Sequence, residues 1–381
     1  MPYLKSPLSL DELSTNIVIN LIMNCEQVQR QLRNLPVTLI QHLYQRLCQL
    51  KRANLYSNIF IRRETKSIRD LNLFDLPMEP LLDKIGQVCK NLTDLSFNPY
   101  KLPRGVVLDI PPASMIKLLD RVPQLRSLDL CHYKQCTNEV LAEIGRKCPQ
   151  LRVLSIVFCV NVTDVGLRSL SYCKKLESLN FAMTNVTAEG AFYIFKQLPS
   201  LKVFKTSLWD DVFQMLREEF YSNTTLQTYS IVETCERVGN NDDLTILTTI
   251  FPNLCSLTVW NSNVVLKRNL TQQLTNLRLY YVGLADIEFI DHQCPALKSL
   301  SLDSCDISNT PYLQESAEYF PFMNLEELSI LCRNDTDIVV NEFLLLLVKC
   351  KNLKRLRLSC CQLFTDNLIT DIVRLNGFEN L

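Results

Sequence analysis

The sequence predicts an α/β solenoid in which each repeated unit supplies one short strand and one helix. Three observations carry this prediction: an apolar motif recurs at a nearly regular spacing, an amphipathic segment follows it, and cysteines stand at fixed distances from it. The motif is Leu-x-x-Leu-x-Leu, with the last position sometimes Ile, Val or Phe. It begins at Leu125, Leu151, Leu176, Leu254, Leu274, Leu297, Leu325 and Leu353, with weaker copies at Ile68, Leu92, Leu201 and Leu226.

Each motif predicts a strand whose alternate residues point inward, and the segment after it predicts a helix. Four such segments open with a threonine that is expected to cap the helix, followed by apolar residues at helical spacing. They are Thr137 to Cys148, Thr163 to Cys173, Thr187 to Leu198 and Thr365 to Leu375. The longest unit, after Leu92, carries Pro99, Pro103, Pro111 and Pro112, which predict a protruding loop.

Successive motifs begin 20 to 33 residues apart. This spacing resembles that of leucine-rich repeats of the ribonuclease-inhibitor and cysteine-containing kind. The resemblance implies a horseshoe with its strands on the concave face, and we expect it to cover residues 61–381. Residues 1–60 are expected to form a helical segment that binds an adaptor or caps the first repeat. Leu381 stands 28 residues after Leu353, where a further repeat would begin, so we expect a truncated product or an edge covered by another chain.

The cysteines occupy two positions of the repeat. Cys89, Cys148, Cys173, Cys294 and Cys350 stand three residues before an anchor leucine, and Cys159, Cys305 and Cys361 stand three after the last inward strand residue. Because a buried thiol behaves as a small hydrophobic group, we interpret these as packing positions rather than nucleophiles or zinc ligands.

Composition excludes several function classes. The eight glycines are too far apart for a phosphate-binding loop, and the three histidines lack zinc-helix spacing. Lys+Arg and Asp+Glu are both 40, so no global charge favours nucleic acid or an anionic membrane. The N-terminus lacks the apolar run of a signal peptide, and no stretch is long enough to span a membrane. We expect a cytoplasmic or nuclear protein that is not an enzyme and has no cofactor or metal.

A partner surface can be read from the repeat, since positions 3, 5 and 7 of each unit should point outward when the first leucine is position 1. The seventh position is apolar or aromatic in the middle of the array, where Trp260 and Tyr280 are followed by Tyr281. Aromatic side chains of this kind are frequent binding anchors. The predicted partner-binding residues are Val232, Trp260, Arg278, Tyr280, Tyr281, Arg355 and Arg357.

The N-terminal segment predicts two helices. From Ser9 to Cys25, five apolar residues fall close to one side of a helix: Leu10, Leu13, Ile17, Ile19 and Leu21. A second helix should begin at Leu35-Pro36, with Leu39, Leu43 and Leu47 in phase.

These helices resemble an adaptor-binding box. Ser9-Leu10-x-x-x-Ser14-x-x-x-Val18 is similar to the Elongin-binding box of SOCS-box and VHL-box proteins, with Ser14 where cysteine is usual, and Leu35-Pro36-x-x-Leu39 resembles the cullin box. A box ahead of leucine-rich repeats is similar to the ZYG11 and ZER1 substrate receptors of cullin-2 ligases. The resemblance implies that Leu10, Leu13, Ser14, Ile17, Val18, Leu35, Pro36 and Leu39 bind Elongin B/C and a cullin.

Two alternatives stay open for this segment. Leu35 to Leu43 also fits the start of an F-box, which would bind a Skp-type adaptor, although the tryptophan of a typical F-box is missing because the first tryptophan is Trp209. The helices could also act only as a cap. The sequence thus favours a non-catalytic substrate receptor of a cullin-RING ubiquitin ligase, with a free-standing scaffold or inhibitor as the alternative.

Overall fold

The computed structural model describes residues 61, 63–68, 78–97, 110–222, 228–229, 231, 241–260, 270–282, 287–305, 322–331 and 350–359, and the helical positions 17, 19, 20, 39, 43, 370 and 374. The chain forms two compact units. One consists of Met1–Ser200 with Thr206–Leu208, and the other of Leu201–Lys205 with Trp209–Leu381.

In the first unit, strands and helices alternate along the chain, as the motif predicts. They are β1 (Ser67–Ile68), α1 (Met78–Val88), β2 (Asp94–Ser96), α2 (Pro112–Leu119), β3 (Ser127–Asp129), α3 (Asn138–Lys147), β4 (Val153–Ser155), α4 (Asp164–Ser169) with a 3₁₀ turn at Leu170–Tyr172, β5 (Ser178–Asn180) and α5 (Ala188–Gln197). Strands β1 to β5 pair in parallel in chain order.

The second unit has longer strands. Its elements are β6 (Val203–Lys205), α6 (Trp209–Ser222), α7 (Asn241–Ile250), β7 (Ser256–Trp260), β8 (Asn276–Tyr280), α8 (Ile287–Gln293), β9 (Ser299–Asp303), β10 (Glu327–Leu331) and β11 (Arg355–Ser359). Strands β7 to β11 form a parallel sheet in chain order. The weak copy at Leu226 begins outside the described residues, and Thr228, Tyr229 and Ile231 belong to no strand.

The core consists of the motif leucines stacked in register. Leu277 lies opposite Leu257 on one side and Leu300 on the other, and Leu328 continues the row. All four are at most 1% exposed. A pair of parallel strands cannot slip by one residue without moving this row to solvent, so the leucines fix the register. The predicted leucine-rich-repeat fold is confirmed.

The prediction that the first weak copy begins at Ile68 is wrong. Ile68 pairs with Leu95, the fourth position of the next unit, so Thr65 occupies the first position. Lys66 O accepts hydrogen bonds from the amides of Thr93 and Asp94, at the second position as in later units. The signal was missed because a buried threonine, 9% exposed, stands where a leucine is usual.

Pro112 also departs from expectation. It opens α2 instead of extending a loop, with Pro111 at the N-cap. Proline is tolerated there because its missing N–H would be unpaired in the first turn of any helix. Pro99 and Pro103 lie outside the described residues.

Of the four predicted threonine caps, Thr187 is confirmed and Thr137 and Thr163 are wrong, while Thr365 lies outside the described residues. Thr187 Oγ1 accepts from Gly190 N at 3.3 Å, whereas the side chains of Thr137 and Thr163 cap nothing. At α4 the capping side chain belongs to the preceding repeat, since Asn138 Oδ1 accepts hydrogen bonds from Thr163 N at 2.9 Å and from Gly166 N at 3.2 Å.

An equivalent contact between neighbouring helices occurs in the next repeat, and we call this series of side-chain contacts the helix ladder. Asp164 accepts hydrogen bonds from the amide and the hydroxyl of Thr187, both at 2.8 Å. Gly166 and Gly190 leave room for these approaches, because a Cβ at Gly166 would lie 2.5 Å from Asn138 Oδ1 and one at Gly190 2.2 Å from Asp164 Oδ1. Neighbouring helices are therefore joined at their N-termini by side chains as well as by the apolar core.

The cysteines pack as predicted. Cys89, Cys148, Cys173, Cys294 and Cys350 are buried, as are Cys159 and Cys305, while Cys361 lies outside the described residues. Cys159 Sγ donates to Leu130 O at 3.2 Å, and Cys305 Sγ donates to Leu279 O at 3.4 Å, the equivalent carbonyl. Burial raises the pKa of Cys148, Cys294 and Cys350 to about 12, so these thiols remain protonated and unreactive.

Gly166→Ala is expected to destabilise the fold by about 1 to 3 kcal/mol, the usual cost of overpacking, although alanine in a helix is normally more stable than glycine by about 0.5 to 1 kcal/mol. Urea unfolding measures the change, with Val165→Ala, an exposed neighbour on α4, as the control. The penalty should shrink in an Asn138→Ala background, where the clashing atom is gone. Equal or greater stability of Gly166→Ala in the wild-type background would refute the helix ladder.

Maleimide labelling of the native chain at pH 8 should modify Cys255, which is partly exposed, before Cys148, Cys173 and Cys294, as read by peptide mass spectrometry. The raised thiol pKa values also set the sign of a pH effect. Above about pH 9, unfolded thiols lose protons that the folded chain retains, so stability should fall as the pH rises further. Labelling of the four residues at similar rates would contradict their burial.

Candidate functional site

The candidate site is the outward face of β7 to β11, which we call the strand face. It comprises positions 3, 5 and 7 of each repeat. These alternate with apolar side chains that are buried in β7 to β10 and half-buried in β11. At position 5, the row runs through Thr258, Arg278, Ser301, Ser329 and Arg357. Since the strands pair without a shift, residues of one row lie side by side across the sheet.

An aromatic cluster occupies one end of the strand face. Trp260 and Tyr280 are register partners, and their ring centroids are 4.5 Å apart at an interplanar angle of 30°. Tyr281 adds a third ring 5.9 Å from Trp260. Trp260 remains 40% exposed. The three rings thus form a preorganised apolar surface that water still reaches, which is the property of a binding anchor.

Tyr281 owes its place in the cluster to an unusual backbone. Its φ is 53°, in the left-handed region that non-glycine residues seldom adopt. The conformation directs its amide to Asp303 O at 2.9 Å. This hydrogen bond holds the turn after β8 against β9, so the ring is fixed by the neighbouring strand rather than by its own.

The arginines differ in their partners. Arg355 forms an ion pair with Glu327 on the adjacent strand. Arg278 and Arg357 are exposed, and neither makes a hydrogen bond or ion pair in the part of the chain that the structure describes. Val232, the remaining predicted partner-binding residue, lies outside the described residues. The structure therefore brings six of the seven predicted partner-binding residues onto one sheet or its adjoining turn.

In the first unit, the prediction that position 7 points to solvent is wrong at two places. Cys131 is 6% exposed and Val157 is 9% exposed. The reason is strand length: β3 and β4 end at position 5, so the chain turns before position 7 can project. Burial raises the pKa of Cys131 to about 12, and its thiol lies 2.9 Å from Ser155 Oγ.

The sequence reading missed a second exposed surface, at position 8 of the first unit. His132, Phe158 and Met183 all have φ between 57° and 59°. The rings of His132 and Phe158 stack at 4.4 Å, and Phe158 and Met183 are 39% and 53% exposed. The sequence shows only a large side chain at position 8, immediately before the position that Cys159 occupies in its repeat. A large side chain at this position does not indicate a left-handed conformation.

The N-terminal segment has a mixed outcome. Ile17 and Leu39, two of the predicted adaptor-binding residues, lie on helices with 62% and 44% of their surface exposed, whereas Ile19 and Leu43 are buried. The prediction that Ile17 and Ile19 share one side of a helix is wrong. Residues separated by two positions in the sequence lie about 200° apart around the helix axis, on nearly opposite sides. The other predicted adaptor-binding residues lie outside the described part: Leu10, Leu13, Ser14, Val18, Leu35 and Pro36.

The described residues meet neither the requirements of a metal site nor those of a membrane-spanning helix. They contain no group of three or more His, Cys, Asp or Glu side chains placed to hold a metal ion. None of the described helices is both long and apolar enough to cross a membrane.

Comparisons with known proteins agree with the fold. A family profile described as "Leucine Rich repeat" matches residues 172–195 and 349–367. F-box/LRR-repeat protein 4 of Bos taurus is 29% identical over 153 residues, which are 34% of this chain and 25% of that protein. The chain thus matches about a quarter of the length of this curated relative.

Among solved structures, the chain resembles one in the yeast Rad7 and Elc1 complex, at 13% identity and a TM-score of 0.49, covering 97% of this chain and 91% of that one. An internalin of Listeria monocytogenes is similar at 18% identity and a TM-score of 0.35, covering 77% and 68%. The leucine-rich-repeat profile supports a protein-interaction module, and it indicates no catalytic family.

The two tryptophans of the chain provide a direct test of the aromatic cluster. Trp209 is 7% exposed and packs against Phe204 and Phe251. In the Trp209→Phe variant, the remaining Trp260 should emit at longer wavelength and be quenched readily by acrylamide. In the Trp260→Phe variant, Trp209 should be blue-shifted and protected. Equal quenching of the two variants would show that Trp260 is covered.

Proposed function

We propose that the chain is a non-catalytic substrate receptor of a cullin-RING ubiquitin ligase, acting in the cytoplasm or nucleus. The N-terminal helices bind an adaptor, the strand face holds a protein substrate, and the ligase chemistry resides in other subunits. The observation that carries the substrate arm is the exposed aromatic cluster beside Arg278. Exposed rings held in a fixed arrangement lose little conformational freedom when a partner covers them.

The adaptor arm rests on the N-terminal helices. Ile17 is 62% exposed and Leu39 is 44% exposed, whereas Ile19 and Leu43 on the same segment are buried. A helix that inserts apolar side chains into a groove of its partner requires such exposed residues. The resemblance of Ser9 to Val18 to the Elongin-binding box supports the same use.

Two adaptors remain candidates. The box resemblance, including the ZYG11- and ZER1-like order of box and repeats, favours Elongin B/C and a cullin. The bovine relative is named an F-box/LRR-repeat protein, and Leu35 to Leu43 fits the start of an F-box, which favours a Skp-type adaptor. Neither of the two adaptor assignments implies a cofactor or metal in this chain.

A free-standing scaffold or inhibitor is the second candidate. Ile19 and Leu43 are 1% and 2% exposed, as expected of helices that cap the first repeat of a solenoid. In that case the N-terminal segment would bind no adaptor, and the strand face would act by covering its partner.

A pull-down of the full chain with purified Elongin B/C, and in parallel with a Skp-type adaptor, separates these functions. Retention of either complex supports the receptor and identifies the adaptor. Retention of neither, with a chain that is folded by circular dichroism, supports the scaffold.

Leu10→Ala should weaken adaptor binding by about 2 to 4 kcal/mol, the range of a buried hot spot, without unfolding the repeats. Calorimetric titration with the retained adaptor measures the loss. Ser14→Cys restores the residue usual in the Elongin box and should not weaken the complex. Unchanged binding by Leu10→Ala would refute the Elongin-box assignment.

The exposed helix positions give a second variant with a matched control. Ile17→Glu places a charge where the adaptor should bury an apolar side chain, whereas Asn20→Glu places the same charge at an exposed polar position of the same helix. Binding should be lost in the first variant and retained in the second. Similar effects of both substitutions would place Ile17 outside the adaptor contact.

A further inference from the structure

We propose that the strand face binds an extended acidic peptide of its protein partner, with an apolar side chain on the aromatic cluster and carboxylates on Arg278 and Arg357. This inference rests on the proposed substrate-binding function of that face and names the chemical class of the substrate segment. Three features of the sheet support this proposal. They are two arginines without an ion pair among the described residues, small polar side chains between these arginines, and the aromatic cluster at one end.

Among the described residues of the strand face, Arg278 and Arg357 form no ion pair, and three arginines against two carboxylates leave the face with a net positive charge. The outward acidic groups of this sheet are Asp303 and Glu327. Glu327 pairs with Arg355, whereas Asp303 Oδ1 accepts a hydrogen bond from Ser304 Oγ at 2.9 Å and keeps its negative charge. A guanidinium that is not paired within the chain can make two parallel hydrogen bonds to a carboxylate of a partner.

The floor between these arginines is made of small polar side chains. Arg278 lies opposite Ser301, Ser301 lies opposite Ser329, and Ser329 lies opposite Arg357. Both serines are half-buried, so no large side chain rises between the two positive charges. A peptide can therefore approach the sheet across β9 and β10 and use the serine hydroxyls as hydrogen-bonding groups.

The register also predicts the spacing of the ligand's charges. Arg278 and Arg357 are three strands apart, or about 14 Å at the usual separation of about 4.8 Å per strand. An extended peptide advances about 3.3 Å per residue, so the two carboxylates should be about four residues apart. Trp260 lies one strand beyond Arg278, which places the apolar residue of the peptide outside the acidic pair, on the side of β7.

Peptide selection on the intact chain tests this inference. Short random peptides displayed on phage are selected on the immobilised full-length protein, and the enriched sequences are synthesised with a fluorescein label. Their dissociation constants are measured by anisotropy for wild type, for Arg278→Gln with Arg357→Gln, for Trp260→Ala, and for Arg126→Gln. Arg126 is an exposed arginine beside β3 in the first unit and serves as the charge-matched control.

The selected peptides should carry a pair of Asp or Glu residues about four apart. Their affinity should fall about tenfold or more in the double arginine variant and in Trp260→Ala, and stay unchanged in Arg126→Gln. Replacing the acidic pair of the peptide by Asn or Gln should weaken binding to wild type but cause no further loss in the double arginine variant. Binding should also weaken as salt is added.

Three results would overturn the inference. Peptides without acidic enrichment that depend on Trp260 but not on the arginines would exclude the acidic class and leave the proposed function standing. Peptides indifferent to every variant of the strand face, or no enriched peptide at all, would count against both. Binding of a labelled oligo-uridine in place of any peptide would assign the arginines and rings to single-stranded RNA.

Discussion

The stacking of leucines in register is the constraint on which the rest of the structure depends. The repeats that begin at Leu254, Leu274, Leu297 and Leu325 bury their first, fourth and sixth positions, so the third, fifth and seventh side chains of their strands are the ones that can face a partner. The sheet therefore separates stability from recognition residue by residue. Leu279 can hold β8 in place while its neighbours Arg278 and Tyr280 face outward, and substitutions on the strand face need not disturb the core.

The packing between units adds a second constraint with functional consequences. Asn138 caps the helix of the following repeat, Asp164 binds the N-cap threonine of the next one, and left-handed residues such as Tyr281 bond to the next strand. These contacts fix each turn relative to its neighbour, so the side chains at strand ends are presented in set positions. A rigid array of this kind binds with a small entropic loss, which suits a protein-interaction module.

Periodicity was enough to predict the fold because buried leucines at fixed spacing leave few alternatives, and it also placed Trp260 and Tyr280 side by side. It failed where one residue type replaced another without changing its role. Thr65 hid the true start of the first repeat, and short strands buried Cys131 and Val157 although their positions match that of Trp260. The left-handed turns at His132 and Phe158 carry no sequence signal because glycine, the usual marker, is absent from them. Among the described residues Arg278 and Arg357 have no ion-pair partner, which depends on the neighbouring strands and could not be predicted from one repeat.

Site-specific photo-crosslinking tests the central claim, that the strand face of the second unit is the surface that contacts a protein partner. Benzoyl-phenylalanine is introduced at Tyr280, and separately at Tyr221, a 67% exposed tyrosine on helix α6 of the same unit. The account predicts a covalent protein adduct at Tyr280 after irradiation in cells, and none at Tyr221. Adducts at Tyr221 with none at Tyr280 would contradict it, since the partner would then contact the helices and not the sheet.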